Sequence, residues 1–417
     1  AIREQLTRIL TRTAARRQLS FAWDQLDFAH LPVGLLSEVY EDWAHTYEGK
    51  RAKREGAWYT PAAIAQGIVR EALAGVAAPW SAHVLDPSAG AGVFLVAAYR
   101  GLVRATWEHE KKRPSRTTVR RILREQLVGM EVNEAALRLS ALALYLTALD
   151  LDPEPGPTAR IPFPNLLEEG VLRDVRCKAD FARIRREEAP VGSLGDHVDA
   201  SLDGRFSVVV GNPPWTPWKV SERTVAAAVK EVEAVVAPIV SARVGGDVSY
   251  VMSGGNPDLP FLWRAMRWAV PDGVVAFALH GRWLFQQTDQ AIDRRSEVLR
   301  GLTVSTIVNG TALRRKEGVW AGQEAPFFIL FARNRRPAEE ECFRFLSPVE
   351  DDALNARGRI RLDASAAFPV SPTEAIEKPW LFKALFRGGP LDRAVVEKVL
   401  AATRGESLAS WWHPDFS

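Results

Sequence analysis

The sequence predicts an α/β fold with an open sheet of about seven strands and interleaved helices. Three observations lead to this prediction. Short apolar, β-branched runs are typical of strands buried on both faces, helical periodicity separates them, and glycine-rich or polar turns follow several of them directly. In such sheets, ligands bind in the crevice beyond the carboxyl ends of the strands. The turns after the strands are therefore the first candidates for a functional site.

The length of 417 residues exceeds that of one ordinary domain and suggests three regions. Residues 1–50 are expected to form a helical N-terminal region, because Leu6, Ile9 and Leu10 recur at helical spacing. Residues 51–340 carry the α/β pattern. The pattern weakens beyond residue 340, so residues 341–417 are expected to be a small C-terminal extension or the start of a recognition or partner-binding region.

Composition narrows the class of protein. With 47% hydrophobic and 25% charged residues, and no apolar stretch long enough to cross a bilayer, the chain is expected to be a soluble protein without a membrane partner. Cys177 and Cys342 have no CxxC or paired histidine beside them, so no metal site is expected, and a reducing, cytoplasmic location fits best. The net charge is only +3, but the basic residues cluster, which makes a polyanion partner plausible. The clusters are Arg12–Arg17, Lys111–Arg124, Arg183–Arg186, Arg314–Lys316 and Arg333–Arg336.

The turn at residues 212–215 is the first candidate site. Residues 206–210 predict a buried strand, Gly211 ends it, and Asn212-Pro213-Pro214-Trp215 follows. Two prolines make this turn stiff and remove two N–H donors. A polar amide, a proline carbonyl and an aromatic ring are therefore held together at a strand end. An ordinary strand exit with Trp215 in the core is the alternative.

A glycine-rich turn forms the second candidate. A short apolar strand leads into Asp86, then Ser88, Gly90 and Gly92, and then a helix predicted to run through Arg100. Glycines let a ligand approach the backbone, and the helix start supplies N–H groups. Because an acid precedes the glycines, the turn suits a cationic or zwitterionic ligand better than a dinucleotide pyrophosphate.

Other strand and helix ends complete the prediction. Glu131 ends a second strand, where an acid typically holds a ribose diol, although an acid near a helix start is equally explained by the helix dipole. Residues 101–125 are expected to be a charged helical insertion outside the sheet. Asn165 begins a candidate third strand end, 165–167. Thr60 is a good N-cap and Pro61 suits the first helical position of a helix through residue 74.

Five sequence blocks, taken in order, resemble the amino-methylating DNA methyltransferases. They are GAWYTP, DPSAGAGVF, GMEVNEAALRLSALALYL, NPPW and DLPFLWRAM, within residues 36–335. The likeness is closest to the N6-adenine enzymes of restriction-modification and phage-defence systems. It implies a Rossmann-like methyltransferase sheet that binds S-adenosyl-L-methionine and duplex DNA whose target adenine is flipped out. Trp58 and Trp215 stand where the family commonly has tyrosine or another aromatic residue.

The resemblance also implies roles for individual residues. The cofactor-binding residues would be Tyr59, Thr60, Pro61, Asp86, Ser88, Gly90, Gly92, Glu131, Asn165 and Phe261, and the catalytic residues Asn212, Pro213, Pro214 and Trp215. Asn165 replaces the aspartate that the family often has near the cofactor adenine.

Three functions remain open at this point. The first is an adenine-specific DNA methyltransferase. The second is a protein-glutamine or RNA methyltransferase, because the same tetrapeptide accepts any planar amide or amine. The third is a non-catalytic DNA-binding subunit of a defence complex. Since only about 80 residues follow the predicted sheet, target recognition is expected to need a further segment or a partner protein.

Overall fold

The computed structural model describes residues 60–154, 165–186, 188–218, 223–314, 316, 318–320, 323–386 and 388–403. The predicted helical region 1–50 and Tyr59 lie outside these residues. Within them, no helix has both the length and the apolar character that a membrane crossing requires.

A nine-stranded mixed sheet forms the centre of the protein, with the strand order β3-β2-β1-β4-β5-β7-β6-β8-β9. Neighbouring strands from β3 to β5 are parallel, whereas β7 is antiparallel to both β5 and β6. The strands are β1 Val84–Asp86, β2 Leu127–Glu131, β3 Leu172–Asp174, β4 Phe206–Gly211, β5 Ala269–His280, β6 Thr303–Asn309, β7 Phe327–Arg333, β8 Phe343–Leu346 and β9 Phe368–Val370.

Helices cover both faces of this sheet. They are α1 Ala62–Ala74, α2 Val93–Glu110, α3 Arg116–Glu125, α4 Glu134–Leu151, α5 Lys178–Arg185, α6 Arg223–Val244, α7 Asp258–Trp268, α8 Gly281–Phe285, α9 Asp289–Gly301, α10 Asp352–Asn355, α11 Pro372–Glu377, α12 Leu381–Ala384 and α13 Pro390–Ala402.

Strand β4 shows how the two cores arise. Val208 and Val210 belong to the apolar cluster that contains α1–α4, whereas Val209 belongs to the cluster that contains α6, α7 and α9. All three side chains are fully buried. Because successive side chains of a strand point to opposite faces, an unbroken apolar run is needed where helices cover both sides. The predicted α/β class is confirmed.

The sheet is larger than the expected seven strands. Strand β8 pairs in parallel with β6, and β9 pairs with β8. Phe343, Phe345 and Phe382 lie in the same core as α6 and α7. The predicted boundary at residue 340 therefore does not break the sheet, because the edge strands beyond it are short and carry little periodicity of their own.

Residues 101–125 are not an insertion outside the sheet, as the sequence had suggested. Helix α2 continues to Glu110 instead of ending near Arg100, and α3 follows it. Leu102, Val119 and Ile122 are buried against the sheet with the other side chains of this layer. The charged residues that suggested an insertion occupy the outer faces of these two amphipathic helices.

The predicted third strand end at residues 165–167 is also wrong. The strand is β3, Leu172–Asp174, and residues 166–170 form the turn that precedes it. Leu172, the first residue of β3, pairs in parallel with Gly129 in the middle of β2, so the turn before β3 lies towards the amino edge of the sheet. The apolar pair Leu166-Leu167 resembled a strand, but the N–H groups of Val171 and Leu172 bond to the Leu166 carbonyl instead.

The strand order reverses between β1 and β4. Strand β1 continues through α2 and α3 to β2 on one side, while β4 and β5 lie on the other. A Cβ atom added at Gly211, the last residue of β4, would lie 2.8 Å from Oδ1 of Asp86, the last residue of β1. A crevice for ligands opens at this kind of reversal. Glycine at position 211 lets the two strand ends meet there.

We predict that Gly211→Ala destabilises the protein by about 1–3 kcal/mol, because the new methyl group must displace the buried Asp86 carboxyl group. Gly67→Ala in α1 is the control, since nothing lies within 4 Å of its added Cβ. It should leave stability unchanged or raise it by about 0.5–1 kcal/mol. Urea unfolding of both variants measures the difference, and equal stability of Gly211→Ala and wild type would contradict the close contact.

Candidate active site

The turn after β4 is connected to the start of α1. Asn212 donates a hydrogen bond from Nδ2 to the Thr60 hydroxyl, at 2.9 Å. Thr60 is buried, and 152 residues separate the two partners. The prediction that Thr60 caps α1 is wrong. Helix α1 begins at Ala62, Pro61 occupies the N-cap position, and no side chain caps the helix. The Thr60 hydroxyl orients the Asn212 carboxamide instead.

Trp215 lies in an aromatic cluster and is only 4% exposed. Its Nε1 donates to the Ala278 carbonyl of β5 at 3.3 Å. Phe327 stacks on it with ring centroids 6.3 Å apart, and Trp320 packs at a tilt. These contacts anchor the turn to the neighbouring strands. Stacking of Trp215 on a substrate base stays a prediction, because Phe327 already covers one side of the indole.

The glycine-rich turn after β1 has the expected conformation. The Ser88 N–H donates to Asp86 Oδ1 at 3.1 Å. Gly90 and Gly92 have φ values of 52° and 88°, which side-chain-bearing residues rarely adopt. A Cβ at Gly92 would also lie 2.4 Å from the Ser140 hydroxyl of α4. Sterics therefore require a glycine at this position.

Glu131 lies beside this turn and holds it. One carboxylate oxygen accepts the Gly90 N–H at 2.8 Å, and the other accepts the N–H groups of Val132 and Asn133 at 2.9 and 2.8 Å. Asp86, Gly90 and Glu131, which were predicted separately from strand ends, are thus brought together. The acid after β2 shapes the glycine-rich turn from the adjacent strand.

Asp86 is completely buried. Burial, together with the charge of Glu131, raises the pKa of its carboxyl group to about 8, although the Ser88 N–H acts in the opposite direction. Near neutral pH the carboxyl group therefore holds a proton in the ligand-free protein. A positively charged ligand beside it would favour the carboxylate.

Three buried polar atoms around the turn have no hydrogen-bond partner among the described residues: Asp86 Oδ2, the Ser88 hydroxyl and the Ser140 hydroxyl. Buried polar atoms in proteins are nearly always bonded, and each exception calls for an explanation. A ligand with an ammonium group and several hydroxyls would supply donors and acceptors here. The residues present fit S-adenosyl-L-methionine, which carries both kinds of group.

Ser193 and Asp180, which the sequence did not indicate, support the glycine-rich turn after β1. The Ser193 hydroxyl donates to the Pro87 carbonyl at 2.7 Å. The segment that carries Ser193 is held by Asp180, which accepts the N–H groups of Val191 and Gly192 at 2.7 and 3.2 Å. Neither residue lies in a recognisable motif. The contacts join segments that are far apart in sequence, so no local signal could have revealed them.

Cys177 is less isolated than its sequence surroundings suggested. Ligand-type atoms of Cys177, Asp180 and His197 lie within 4.8 Å of one another. Asp180 is fully buried, and its oxygens accept backbone N–H groups and pair with Arg183. Its role in this group is therefore to hold the chain segments together.

Two predicted cofactor residues occupy other surroundings. Asn165 is exposed, and its Oδ1 accepts the N–H of Glu168 within the turn before β3. Since this turn is at the amino edge of the sheet, the geometry does not support a contact between Asn165 and a ligand beside Asp86. Phe261 lies on α7, is 5% exposed and packs in the core. Its contact with the cofactor adenine stays a prediction.

Many residues of the basic clusters are paired with acids. Arg116 and Arg124 of α3 form ion pairs with Asp152 and Glu169 at 2.7 and 2.9 Å. Arg335 binds Asp272 and Glu341 in the same way. These pairs lower the positive charge that the surfaces offer to a polyanion. The Lys111–Arg124 cluster lies in the connection between α2 and α3 and on the outer face of α3.

Residues 33–156 match the sequence model of the N-6 DNA Methylase family. The predicted family resemblance is confirmed. Of the described residues, the matched segment includes Thr60, the glycine-rich turn and Glu131. No curated protein sequence is significantly similar to the chain.

Solved structures with the same fold include the type I restriction-modification methyltransferase subunit from Streptococcus thermophilus. It has a TM-score of 0.51 and 14% identity, over 86% of this chain and 64% of that one. The DrdV–DNA complex has a TM-score of 0.51 and 16% identity, over 86% of this chain and 32% of that one. At these identities the similarity concerns the fold. The chain covers 64% and 32% of these two proteins, less than two thirds of the length of either.

We predict that Asp86→Asn stabilises the ligand-free protein increasingly as the pH rises. The folded-state pKa of about 8 lies above the ordinary value of 3.8. The folded protein thus keeps a proton that the unfolded chain loses, and wild-type stability falls between about pH 4 and pH 8. Asparagine removes this slope and can still accept the Ser88 N–H.

Thermal unfolding of wild type and Asp86→Asn at pH 5 and pH 8 measures this effect. The variant should have the higher Tm at pH 8, and its advantage over wild type should be clearly smaller at pH 5. A constant difference at both values would mean that the buried carboxyl group does not titrate in this range.

Proposed function

We propose that the protein is an S-adenosyl-L-methionine-dependent DNA methyltransferase acting on the N6 amine of an adenine extruded from duplex DNA. The observation that carries the proposal is the meeting of the NPPW turn and the Asp86 turn where the strand order reverses. The match of residues 33–156 to the N-6 DNA Methylase family supports it. A cytoplasmic role in restriction-modification or phage defence belongs to the same proposal.

The chemistry of adenine explains the choice of residues in the turn. Its exocyclic amine is a poor nucleophile, because the nitrogen lone pair is delocalised into the ring. The side-chain oxygen of Asn212 and the carbonyl oxygen of Pro213 are two acceptors that can hold the two N–H groups and favour a pyramidal nitrogen. Thr60 holds the amide nitrogen of Asn212, so the acceptor oxygen does not need to reorient during the reaction.

The cofactor side of the site uses the residues around Asp86. Asp86 and Ser88 would hold the amino acid part of S-adenosyl-L-methionine, and Glu131 its ribose. When bound, this cofactor supplies an electrophilic methyl group on a sulfonium, which is a good leaving group. The buried Asp86 carboxyl group would stabilise the positive charge of the cofactor in a site of low dielectric.

Extrusion of the base needs compensation. Flipping a nucleotide costs a few kcal/mol, and stacking of a base on an aromatic side chain contributes about 1–3 kcal/mol. Trp215, which is 4% exposed in the ligand-free protein, would provide this contact. Target recognition would come from a further segment or a protein partner, since the chain spans only part of the length of the structures that it resembles.

Two other functions make different predictions. A protein-glutamine or RNA methyltransferase would label protein or RNA in place of DNA. A non-catalytic subunit would bind duplex DNA and transfer no methyl group. The orientation of Asn212 by Thr60 favours a catalytic role, because a scaffold would not need a fixed carboxamide.

Methyl transfer from isotopically labelled cofactor tests the proposal, with duplex DNA, RNA and protein offered separately. Mass spectrometry of the DNA nucleosides should detect N6-methyladenine. Asn212→Ala should lower kcat by at least about 10²-fold, as expected for loss of a group acting in the transition state. Its cofactor Kd should stay within a few-fold of wild type. Label in RNA or protein alone, or none in any substrate when the recognition segment or partner is supplied, would refute the proposal.

We predict a graded effect at Thr60. Thr60→Val keeps the shape of the side chain but cannot bind the Asn212 amide, so kcat should fall about tenfold, equivalent to about 1.4 kcal/mol. Thr60→Ser keeps the hydroxyl and should stay within about threefold of wild type. Single-turnover methylation measures both rates. Equal rates for the valine and serine variants would show that the hydroxyl has no influence on transfer.

A further inference from the structure

A half-buried arginine contacts the NPPW turn from α8, the short helix that follows the next strand. The guanidinium group of Arg282 donates to the backbone carbonyl of Trp215. Arg282 follows β5 directly, and its own N–H donates to Nδ1 of His280 at 2.9 Å. The Gly281 N–H is fixed by the Pro326 carbonyl at 2.7 Å. The backbone that carries Arg282 is therefore well anchored.

Asp258 is the charge that faces this arginine. It is 2% exposed and is the first residue of α7. Burial raises the pKa of Asp258, the charge of Arg282 opposes this, and the backbone N–H groups of Leu259 and His280 also favour the carboxylate. Burial likewise lowers the pKa of Arg282, and Asp258 opposes that change. Each charge therefore favours the ionised form of the other.

We infer that Arg282 is a positioning residue that fixes the NPPW turn for methyl transfer. The inference rests on the proposed function, because it assigns Arg282 a role in that reaction. Gly211 and Thr60 hold the first half of the turn. Arg282 holds the second half through the Trp215 carbonyl.

A purely structural role for Arg282 is the competing explanation, since losing an arginine that binds a backbone carbonyl can destabilise a protein at any site. Arg295 provides a matched control. It is 1% exposed and donates to the carbonyl oxygens of Leu284, Gln286 and Pro379 at 3.0, 3.1 and 3.2 Å. It is a buried arginine that binds carbonyl groups outside the NPPW turn.

Hydrogen exchange tests, independently of activity, whether the contact from Arg282 holds the NPPW turn in place. In Arg282→Met, the amides of Asn212, Trp215 and Thr216 should exchange at least about fivefold faster than in wild type, because local opening becomes easier. Arg295→Met should leave their exchange unchanged while lowering Tm. Unchanged exchange of the turn in Arg282→Met would overturn the inference, whether or not the protein methylates DNA.

Methylation kinetics then test whether the contact between Arg282 and the NPPW turn affects methyl transfer. Arg282→Met should lower kcat by about tenfold or more, as displacement of a reacting group does, with the cofactor Kd within about threefold. Added guanidinium at millimolar concentration should restore part of kcat in this variant and none in Arg295→Met. A normal kcat, or a loss that guanidinium does not restore, would assign Arg282 a structural role only. Absence of N6-methyladenine with wild type would instead refute the proposed function.

Discussion

The meeting of two strand ends, β1 at Asp86 and β4 at Gly211, is the constraint on which the rest of the site depends. A buried carboxyl group and a backbone without a side chain occupy the same small space. Because of this contact, the turn after β1 and the turn after β4 lie side by side. The reversal of strand order creates the crevice. Because Gly211 has no Cβ atom, the ends of β1 and β4 can approach each other closely.

The carboxyl edge of the sheet assembles from separate segments around this contact. Glu131 holds the glycine-rich turn from one neighbouring strand, and Ser193 holds Pro87 from a distant loop. Thr60, which lies just before α1, and Arg282, which lies in α8 after β5, hold the NPPW turn. Each turn is thus fixed by polar contacts from elements other than its own. Preorganisation of this kind is what a reaction that depends on positioning requires.

The sequence predicts the central part of this arrangement and misses its supports. Asp86, Glu131 and Asn212 could be placed because each follows an apolar run, and parallel strands end at one edge. The Thr60–Asn212 bond could not, because its partners are 152 residues apart and Thr60 also satisfies the local signature of a helix cap. Strands β8 and β9 were missed because short edge strands carry too few residues for a clear period. Asn165 was misplaced because an apolar turn resembled a strand.

The strand order also has a consequence for synthesis on the ribosome. Strands β1, β2 and β3 emerge within residues 84–174, but β4, the other neighbour of β1, follows only at residues 206–211. Until then, one edge of β1 has no partner strand, and an open edge is prone to pair with other chains. Arrival of β4 closes this edge and brings Asn212 to Thr60 in the same event. The nascent chain therefore loses this open edge at the moment when the two turns of the candidate site first meet.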